Sequence, residues 1–167
     1  MKQQLTHFGP QGRAKMVDVG HKARTERVAV ATGRISMQPA TLEKIQAGKM
    51  AKGDVFAVAQ VAGVMAAKRT PDLVPMCHPI LLTSLDLVFE EQSIPDSDGL
   101  CHVIITATAK TTGQTGVEME ALTAVCIAAL TLYDMCKAVD REMTIDHIGL
   151  VLKVGGKSGM YVRKRKT

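Results

Sequence analysis

The chain has 167 residues, 46% of them apolar and 22% charged, which is the size and composition of one folded domain with a substantial core. No stretch reaches the roughly 18 uncharged apolar residues of a membrane span, and the N-terminus lacks an apolar signal region. We therefore expect a cytoplasmic protein without membrane contact. The four cysteines form no Cys-x-x-Cys pair, which argues against a disulfide framework. The neighbours Cys77-His78 and Cys101-His102 resemble metal ligands, but adjacent side chains of an extended chain point to opposite faces, so we expect no shared zinc ion.

The net charge of +5 indicates an anionic partner. The basic residues are spread along the chain except for a run at 163–166, which we interpret as a solvated end. Aromatic residues make up only 3% of the chain, so there is no platform on which several bases could stack, and we expect no nucleic acid partner. A small polyanion such as a nucleotide phosphate fits the charge better.

The first half of the chain predicts one strand and two helices. Residues 28–37 alternate between apolar and polar faces as a strand does. A short helix follows, with Pro39 at its start and Gly48 after its end. Asp54 is placed to cap a second, apolar helix over 55–68, which Pro71 prevents from continuing.

The second half predicts two strands, a long helix and a last strand. Residues 75–79 begin and end with proline, which predicts an extended, rigid loop. The strands cover 80–90 and 100–111, the helix begins after Val117, the last strand covers 145–154, and a glycine-rich tail follows. This order predicts a ferredoxin-like α+β sandwich, an antiparallel sheet with helices packed on one face. We expect a single domain over 1–167, with flexible residues 1–15 and a basic tail over 156–167.

The long helix places acids and a base on one stripe. The stripe comprises Glu120, Thr123, Ile127, Leu130, Asp134 and Lys137. An acid and an amine one turn apart on a largely buried face would perturb each other's protonation, as proton transfer requires; the alternative is an ordinary i,i+3 ion pair. Because Glu120 and Asp134 lie about 21 Å apart along the helix, they serve opposite ends of a ligand or belong to sites shared by two subunits.

Three other segments suggest anion binding. Lys52 precedes a helix N-terminus, where an anion is favoured; the alternative is a solvated lysine. The run 155–159 (GGKSG) is not a phosphate loop, because Val151 stands where that motif needs glycine; it is either a basic flap or a loose end. Residues 112–116 offer backbone amides, but Glu118 and Glu120 would repel phosphate and would rather hold the amine edge of a heterocycle, unless they only complement the helix dipole.

His78 lies beside Cys77 on the proline-bounded loop. It is interpreted as an acid or as a hydrogen-bond donor to phosphate, with a purely structural histidine as the alternative. Nucleophilic catalysis by Cys77 is disfavoured, because the partner base normally comes from elsewhere in the fold.

Seven ordered segments resemble the signatures of the MoaC family of molybdenum cofactor biosynthesis. They are MVDV at 16–19, KGDVFA at 52–57, AAKRT at 66–70, CHP at 77–79, TGVEMEALT at 115–123, LYDMCKA at 132–138 and GGKSG at 155–159. The resemblance implies a ferredoxin-like fold assembled as a homohexamer, a trimer of dimers, with active sites at subunit interfaces. It implies a lyase that rearranges a cyclised dihydro-GTP intermediate to cyclic pyranopterin monophosphate and releases pyrophosphate.

The same resemblance assigns roles to particular residues. Asp134 matches the catalytic aspartate of the family, and Lys52 and Lys137 match its catalytic lysines. The residues that match substrate-binding positions, or positions near the site, are Met76, Cys77, His78, Met119, Glu120, Glu118 and Lys153. We expect Lys153, Lys157 and His78 to neutralise phosphate charge, and we expect neither a metal nor a cofactor, since the reaction needs proton transfer rather than redox chemistry. Met76 departs mildly from the leucine that the family pattern favours.

Two non-catalytic functions remain as alternatives. A nucleotide- or RNA-binding module on the same plan would expose aromatic side chains on the sheet, where the strands offer only Phe89. A regulatory oligomer would bind GTP-like ligands tightly without forming product, and Asp134→Ala would leave that binding nearly unchanged.

Overall fold

A computed structural model describes residue 13 and residues 16–164. Its elements are β1 (Thr25–Met37), α1 (Pro39–Gln46), α2 (Val55–Lys68), α3 (Thr70–Leu73), β2 (Ser84–Gln92), β3 (Cys101–Gly113), α4 (Glu118–Cys136), β4 (Thr144–Val154) and β5 (Tyr161–Val162). The N-terminal segment predicted to be flexible lies outside the described residues except for residue 13, as do the last three residues of the basic tail.

The five strands form one sheet in the order β2-β3-β1-β4-β5, and every neighbouring pair is antiparallel. Helix α4 packs against β1, β3 and β4, while α2 packs against α4 and β2, so both long helices cover the same face. The predicted ferredoxin-like α+β class is confirmed. The predicted cap is also present, since the Ala57 amide donates to Asp54 Oδ1 at 3.0 Å.

Several predicted boundaries are wrong for local reasons. Strand β2 begins at Ser84 instead of residue 80, because its backbone pairing with β3 starts only where the Thr83 amide donates to the Lys110 carbonyl at 2.9 Å. The end predicted for α2 is correct, since this helix stops at Lys68, but Pro71 does not exclude a further short helix: it lies in the first turn of α3, where a missing amide proton costs nothing. The loop over 75–79 is not fully extended, since the Cys77 amide closes a turn onto Val74.

The glycine-rich segment is a β-hairpin connection rather than a tail. Lys153 pairs with Tyr161, and Leu152 with Val162, so β5 extends the sheet beyond β4. Gly155 and Gly156 turn the chain with φ of 98° and 75°, a region that other residues rarely adopt. The segment therefore returns to the sheet and presents its basic side chains at a fixed edge.

Alanine dominates the contact between α4 and the sheet. Fully buried alanines line the facing strands at Ala29, Ala31, Ala107 and Ala109, and the helix at Ala121, Ala124, Ala128 and Ala129. Small side chains let the helix lie close to the strands, and a Cβ at Gly33 would come within 2.6 Å of the Val125 side chain. Among the described residues, α4 alone is long and apolar enough to cross a membrane, a test that a buried core helix also passes.

Candidate active site

Lys52, Asp134 and Lys137 form a cluster at the C-terminal end of α4. Lys52 Nζ donates to Asp134 Oδ2 at 2.7 Å and to the Asp134 carbonyl at 2.8 Å. Lys137 Nζ lies 2.6 Å from Asp134 Oδ1. All three side chains are about half exposed, at 45%, 53% and 52%. One carboxylate thus holds two ammonium groups at the protein surface.

Local structure brings these three side chains together. Helix α4 ends at Cys136, and Lys137 is its C-cap, so Asp134 and Lys137 lie one turn apart. The connection between α1 and α2 turns at Gly48 and Gly53, both with positive φ, and carries Lys52 to the end of α4. There its ammonium meets a free carbonyl and the negative end of the helix dipole.

The cluster fixes the charge of its members. Hydrogen bonds from Lys137 and then Lys52 lower the pKa of Asp134 to about 2. The same contact with Asp134 raises the pKa of Lys137 above its ordinary value. At neutral pH the cluster therefore contains a carboxylate and a protonated Lys137.

The predicted burial of the helix stripe is correct only for its first half. Glu120 and Thr123 are 2% and 9% exposed, but Leu130 is 55% exposed and Asp134 lies at the surface. Because the C-terminal part of this stripe is exposed, hydrogen bonds rather than burial shift the pKa of Asp134.

A cavity of about 410 Å³ lies at the opposite, N-terminal end of α4. Its walls are the loop that carries Met76–His78, the start of α4 and the chain before β1. The lining residues are Val17, Val19, Lys22, Met76, Cys77, His78, Ile80, Thr115, Gly116, Glu118, Met119 and Glu120. An apolar wall with a pair of carboxyl groups suits a flat heterocycle that carries N–H groups.

Glu120 is the most perturbed acid in this cavity. Its side chain is buried, and Oε2 has no hydrogen-bond partner among the described residues. Burial, followed by the nearby charge of Glu118, raises the pKa of Glu120 to about 7. Burial and then the charge of Glu120 also raise the pKa of Cys77, which keeps this thiol protonated at neutral pH. An unpartnered carboxyl group that titrates near neutrality is available to a ligand.

One ring nitrogen of His78 is hydrogen-bonded to the protein backbone. Its Nε2 lies 2.7 Å from the Val17 carbonyl, which can only accept, so Nε2 carries a proton and donates. The other ring nitrogen, Nδ1, remains for a ligand in the cavity. His78 therefore also fastens the chain before β1 over the site.

A basic region adjoins the first cavity. Two further cavities of about 400 and 420 Å³ are lined by Lys22, Arg27 and Lys157, and the first of the two also by Lys153. Lys153 Nζ lies 3.8 Å from Glu118 Oε1 and contacts the Ser158 hydroxyl. Four cations thus surround a space that shares Lys22 and the Thr115–Glu118 wall with the first cavity.

Sequence reasoning missed Lys22 and Arg27. Arg27 could have been found from the sequence, because it lies two and four positions before Ala29 and Ala31 and therefore points to the same buried face of the strand. The Arg27 side chain is 7% exposed. The predicted strand began one residue too late to include it. Lys22 lies in a segment without periodicity and has no local signal.

The predicted site residues fall into two groups. Six of the predicted substrate-binding residues line the first cavity, namely Met76, Cys77, His78, Glu118, Met119 and Glu120, and Lys153 and Lys157 line the basic region. Lys52, Asp134 and Lys137 line none of these three cavities. Within one chain the unbroken helix keeps the two groups about 21 Å apart.

The cysteine–histidine neighbours do not form a metal site. His102 is buried, with Nδ1 2.9 Å from Ser36 Oγ and Nε2 2.9 Å from Asp96 Oδ2, and the Cys101 thiol donates to the Ser93 carbonyl. These contacts tie the turn between β2 and β3 to the sheet. Over residue 13 and residues 16–164, no group of three or more His, Cys, Asp or Glu side chains could hold a metal ion.

The cluster predicts an unusually acidic Asp134. In an NMR titration of the carboxyl carbons, we expect Asp134 to titrate near pH 2, because both lysines stabilise its ionised form. Lys137→Met should raise this midpoint toward the ordinary value of about 4. Replacement of the exposed Lys44 by Met should leave the midpoint unchanged. A wild-type midpoint near 4 would contradict the observed ion pairs.

Burial of Glu120 predicts a pH-dependent cost to folding. Its folded pKa is raised, so the free energy of unfolding should fall as the pH rises from about 4.5 to about 7, by on the order of 3 kcal/mol. Glu120→Gln should abolish this loss and be more stable than wild type in urea unfolding at pH 8, but not at pH 4. The exposed Glu142→Gln serves as control. Equal pH profiles for wild type and Glu120→Gln would rule out a desolvated carboxyl group.

The sequence profile of the MoaC family matches residues 16–156. The chain is 59% identical to the cyclic pyranopterin monophosphate synthase of Pelotomaculum thermopropionicum, over 96% of this chain and 91% of that protein. It is 58% identical to the synthases of Brevibacillus brevis, over 99% and 100% of the two chains, and of Listeria monocytogenes, over 96% of each. The resemblance seen in the seven segments is confirmed, and the chain belongs to the MoaC family.

Proposed function

We propose that the protein is a cyclic pyranopterin monophosphate synthase of molybdenum cofactor biosynthesis. It rearranges the cyclised intermediate 3',8-cyclo-7,8-dihydroguanosine 5'-triphosphate to cyclic pyranopterin monophosphate and releases pyrophosphate. Beyond family membership, one observation carries the proposal: a cavity with two carboxyl groups opens into a region with four cations. A ligand with a guanine-derived ring at one end and a triphosphate at the other matches both halves.

The two halves of the site divide the substrate between them. Glu120, with a pKa of about 7 and a free Oε2, and Glu118 accept hydrogen bonds from the N–H edge of the guanine-derived ring. Lys22, Arg27, Lys153 and Lys157 surround the phosphates. When pyrophosphate leaves, negative charge accumulates on its oxygens, and Lys153 and Lys157 stabilise that charge in the transition state, whereas Lys22 and Arg27 hold the phosphates of the bound substrate. Lys153 exchanges its contact with Glu118 for one with phosphate.

The lysine–aspartate cluster supplies the proton transfers that opening one ring and closing another require. Asp134 keeps Lys137 protonated, so Lys137 enters the reaction as a general acid. Asp134 remains ionised between two ammonium groups and orients both of them rather than donating a proton itself. Lys52 is the second group able to exchange protons with substrate, held by two hydrogen bonds to Asp134.

The active protein is proposed to be a homohexamer, a trimer of dimers, with active sites at subunit interfaces in the cytoplasm. Support comes from α4, whose unbroken length separates the substrate cavity from the catalytic cluster by about 21 Å. The cluster is half exposed and lines none of the three cavities. A partner's cluster placed over the cavity would bring both parts to one substrate.

The non-catalytic alternatives have less support. Phe89, the one aromatic residue of the predicted sheet, is half-buried and packs against Phe56 of α2 with ring centroids 5.3 Å apart, so it faces the helices. Tyr161 of β5 is the single exposed aromatic side chain on the described strands, which is too few for several bases to stack. A regulatory oligomer that binds without turnover gives no reason for a protonated lysine and an ionised aspartate in contact at the surface.

Turnover is tested with the purified chain and the cyclised intermediate, by pyrophosphate release and mass detection of the pterin product. We expect Lys52→Ala and Lys137→Ala to lower kcat by about 10²- to 10⁴-fold, the usual contribution of a general acid or base. Lys44→Ala removes an exposed lysine from the surface of α1 and should retain wild-type turnover. Tight binding without product in a well-folded wild-type protein would instead indicate the regulatory alternative.

The interface site predicts complementation between inactive variants. Asp134→Ala removes the cluster, and Glu120→Gln changes the cavity. If each site uses both subunits, random pairing of the two variants should restore about a quarter of wild-type activity. About half of the dimers then contain one copy of each variant, and one of the two sites in each such dimer is intact. Mixtures of Asp134→Ala with Lys137→Ala should recover nothing, because both changes fall in the same cluster. Absence of recovery in proven mixed oligomers would place the complete site in one subunit.

A further inference from the structure

Residues 16–24, called here the N-terminal strap, cross the substrate cavity without forming a helix or strand. Val17, Val19 and Lys22 of the strap line the first cavity, and Lys22 lines all three. The strap thus provides one wall for the ring-binding half and one cation for the phosphate-binding half. Where the strap lies decides where the Lys22 ammonium lies.

Side chains, rather than a backbone ladder, fasten the strap. Among the described residues, its one backbone–backbone hydrogen bond is internal, from the Lys22 amide to the Val19 carbonyl at 3.0 Å. His78 holds one end at the Val17 carbonyl, and Arg24 reaches the Thr112 carbonyl at 3.3 Å. Over the part of the chain that the structure describes, the hydrogen bonds that hold the middle of the strap to the rest of the protein come from Gln114.

Gln114 makes a two-point attachment. Its Nε2 donates to the Gly20 carbonyl and to the Lys22 carbonyl, both at 3.0 Å. A single hydrogen bond would allow the turn to swing about it, whereas bonds to carbonyls two residues apart fix its orientation. Both protons of the side-chain amide are used, so this role needs a donor of two hydrogen bonds at this position.

Gln114 is itself part of a firmly placed segment. It follows β3, and the next two residues, Thr115 and Gly116, line both the first cavity and the basic region. Gln114 also lines the basic region. Its backbone is therefore set by the sheet, and its side chain transfers that position to the turn that carries Lys22.

We propose that Gln114 is a positioning residue of the substrate site, which fixes the turn of the N-terminal strap and thereby aims Lys22 at the phosphate-bearing end of the ligand. The assignment rests on the proposed function for its ligand class. Gln114 acts on binding of the polyphosphate and not on proton transfer, because its side chain bonds to the turn that carries Lys22 and makes no hydrogen bond to the lysine–aspartate cluster.

The test uses Gln114→Met, which keeps the length of the side chain and removes both donors. With the cyclised intermediate, we expect KM to rise about tenfold and kcat to stay within about twofold, since two hydrogen bonds are lost outside the reacting centre. The Kd for inorganic pyrophosphate, measured by calorimetry, should rise by a similar factor. Gln60→Met, the same change at an exposed position of α2, should alter neither constant.

A double-mutant cycle separates positioning from a general structural effect. If Gln114 acts through Lys22, Gln114→Met combined with Lys22→Met should bind pyrophosphate no more weakly than Lys22→Met alone. Additive losses, an unchanged Kd in Gln114→Met, or a lowered kcat at constant KM would overturn the assignment. Should wild type fail to turn over the cyclised intermediate, the proposed function falls, and the pyrophosphate cycle still decides the role of Gln114.

Discussion

The packing of α4 against the sheet is the constraint on which both parts of the site depend. This helix carries Glu118 and Glu120 at its first turn and Asp134 at its last, and Lys137 caps it. Alanines on the helix and on β1 and β3 allow a close approach over its whole buried face. Because a helix in such a contact neither slides nor rotates freely, the positions of all four charged groups follow from one packing interface.

The two ends of α4 shift the pKa of a carboxyl group in opposite directions by different physical means. Glu120 is buried without a partner at Oε2, so desolvation raises its pKa to about 7 and favours the neutral acid. Asp134 is exposed, and hydrogen bonds from two lysines lower its pKa to about 2. In the proposed assembly, a ligand between the cavity of one subunit and the cluster of its partner would meet two different carboxyl groups. Glu120 can change its protonation near neutral pH, and Asp134 stays ionised.

The sequence predicts structural features that depend on neighbouring residues, but not contacts between residues far apart in the chain. Alternation and helical periodicity predict the order of the strands and helices, and the position of Asp54 predicts that it caps α2. Each of these features depends on residues that lie close together in the sequence. The contact of Asp134 with Lys137 is readable from their spacing, but the part of Lys52 comes only through family resemblance, since 82 residues separate it from Asp134. Gln114 holding the Gly20–Lys22 turn joins segments more than 90 residues apart and leaves no pattern. Periodicity shows which residues share a helix face but not how far the core extends, which is why the expected burial of Asp134 is wrong.

Exposure of the lysine–aspartate cluster in one chain gives the proposed assembly a chemical reason. Water screens the interaction of Asp134 with its two lysines while the cluster lies at a free surface. If the cavity of a second subunit covers the cluster, as the proposed assembly requires, water is displaced and each charge acts more strongly on its neighbours and on the substrate. The pKa of Lys137 then depends on whether substrate is bound, because a polyphosphate brings negative charge that favours the ammonium form until pyrophosphate leaves. On this argument, loss of pyrophosphate removes charge from the site and eases the release of a lysine proton, so the departure of the leaving group and the proton transfers are linked by electrostatics.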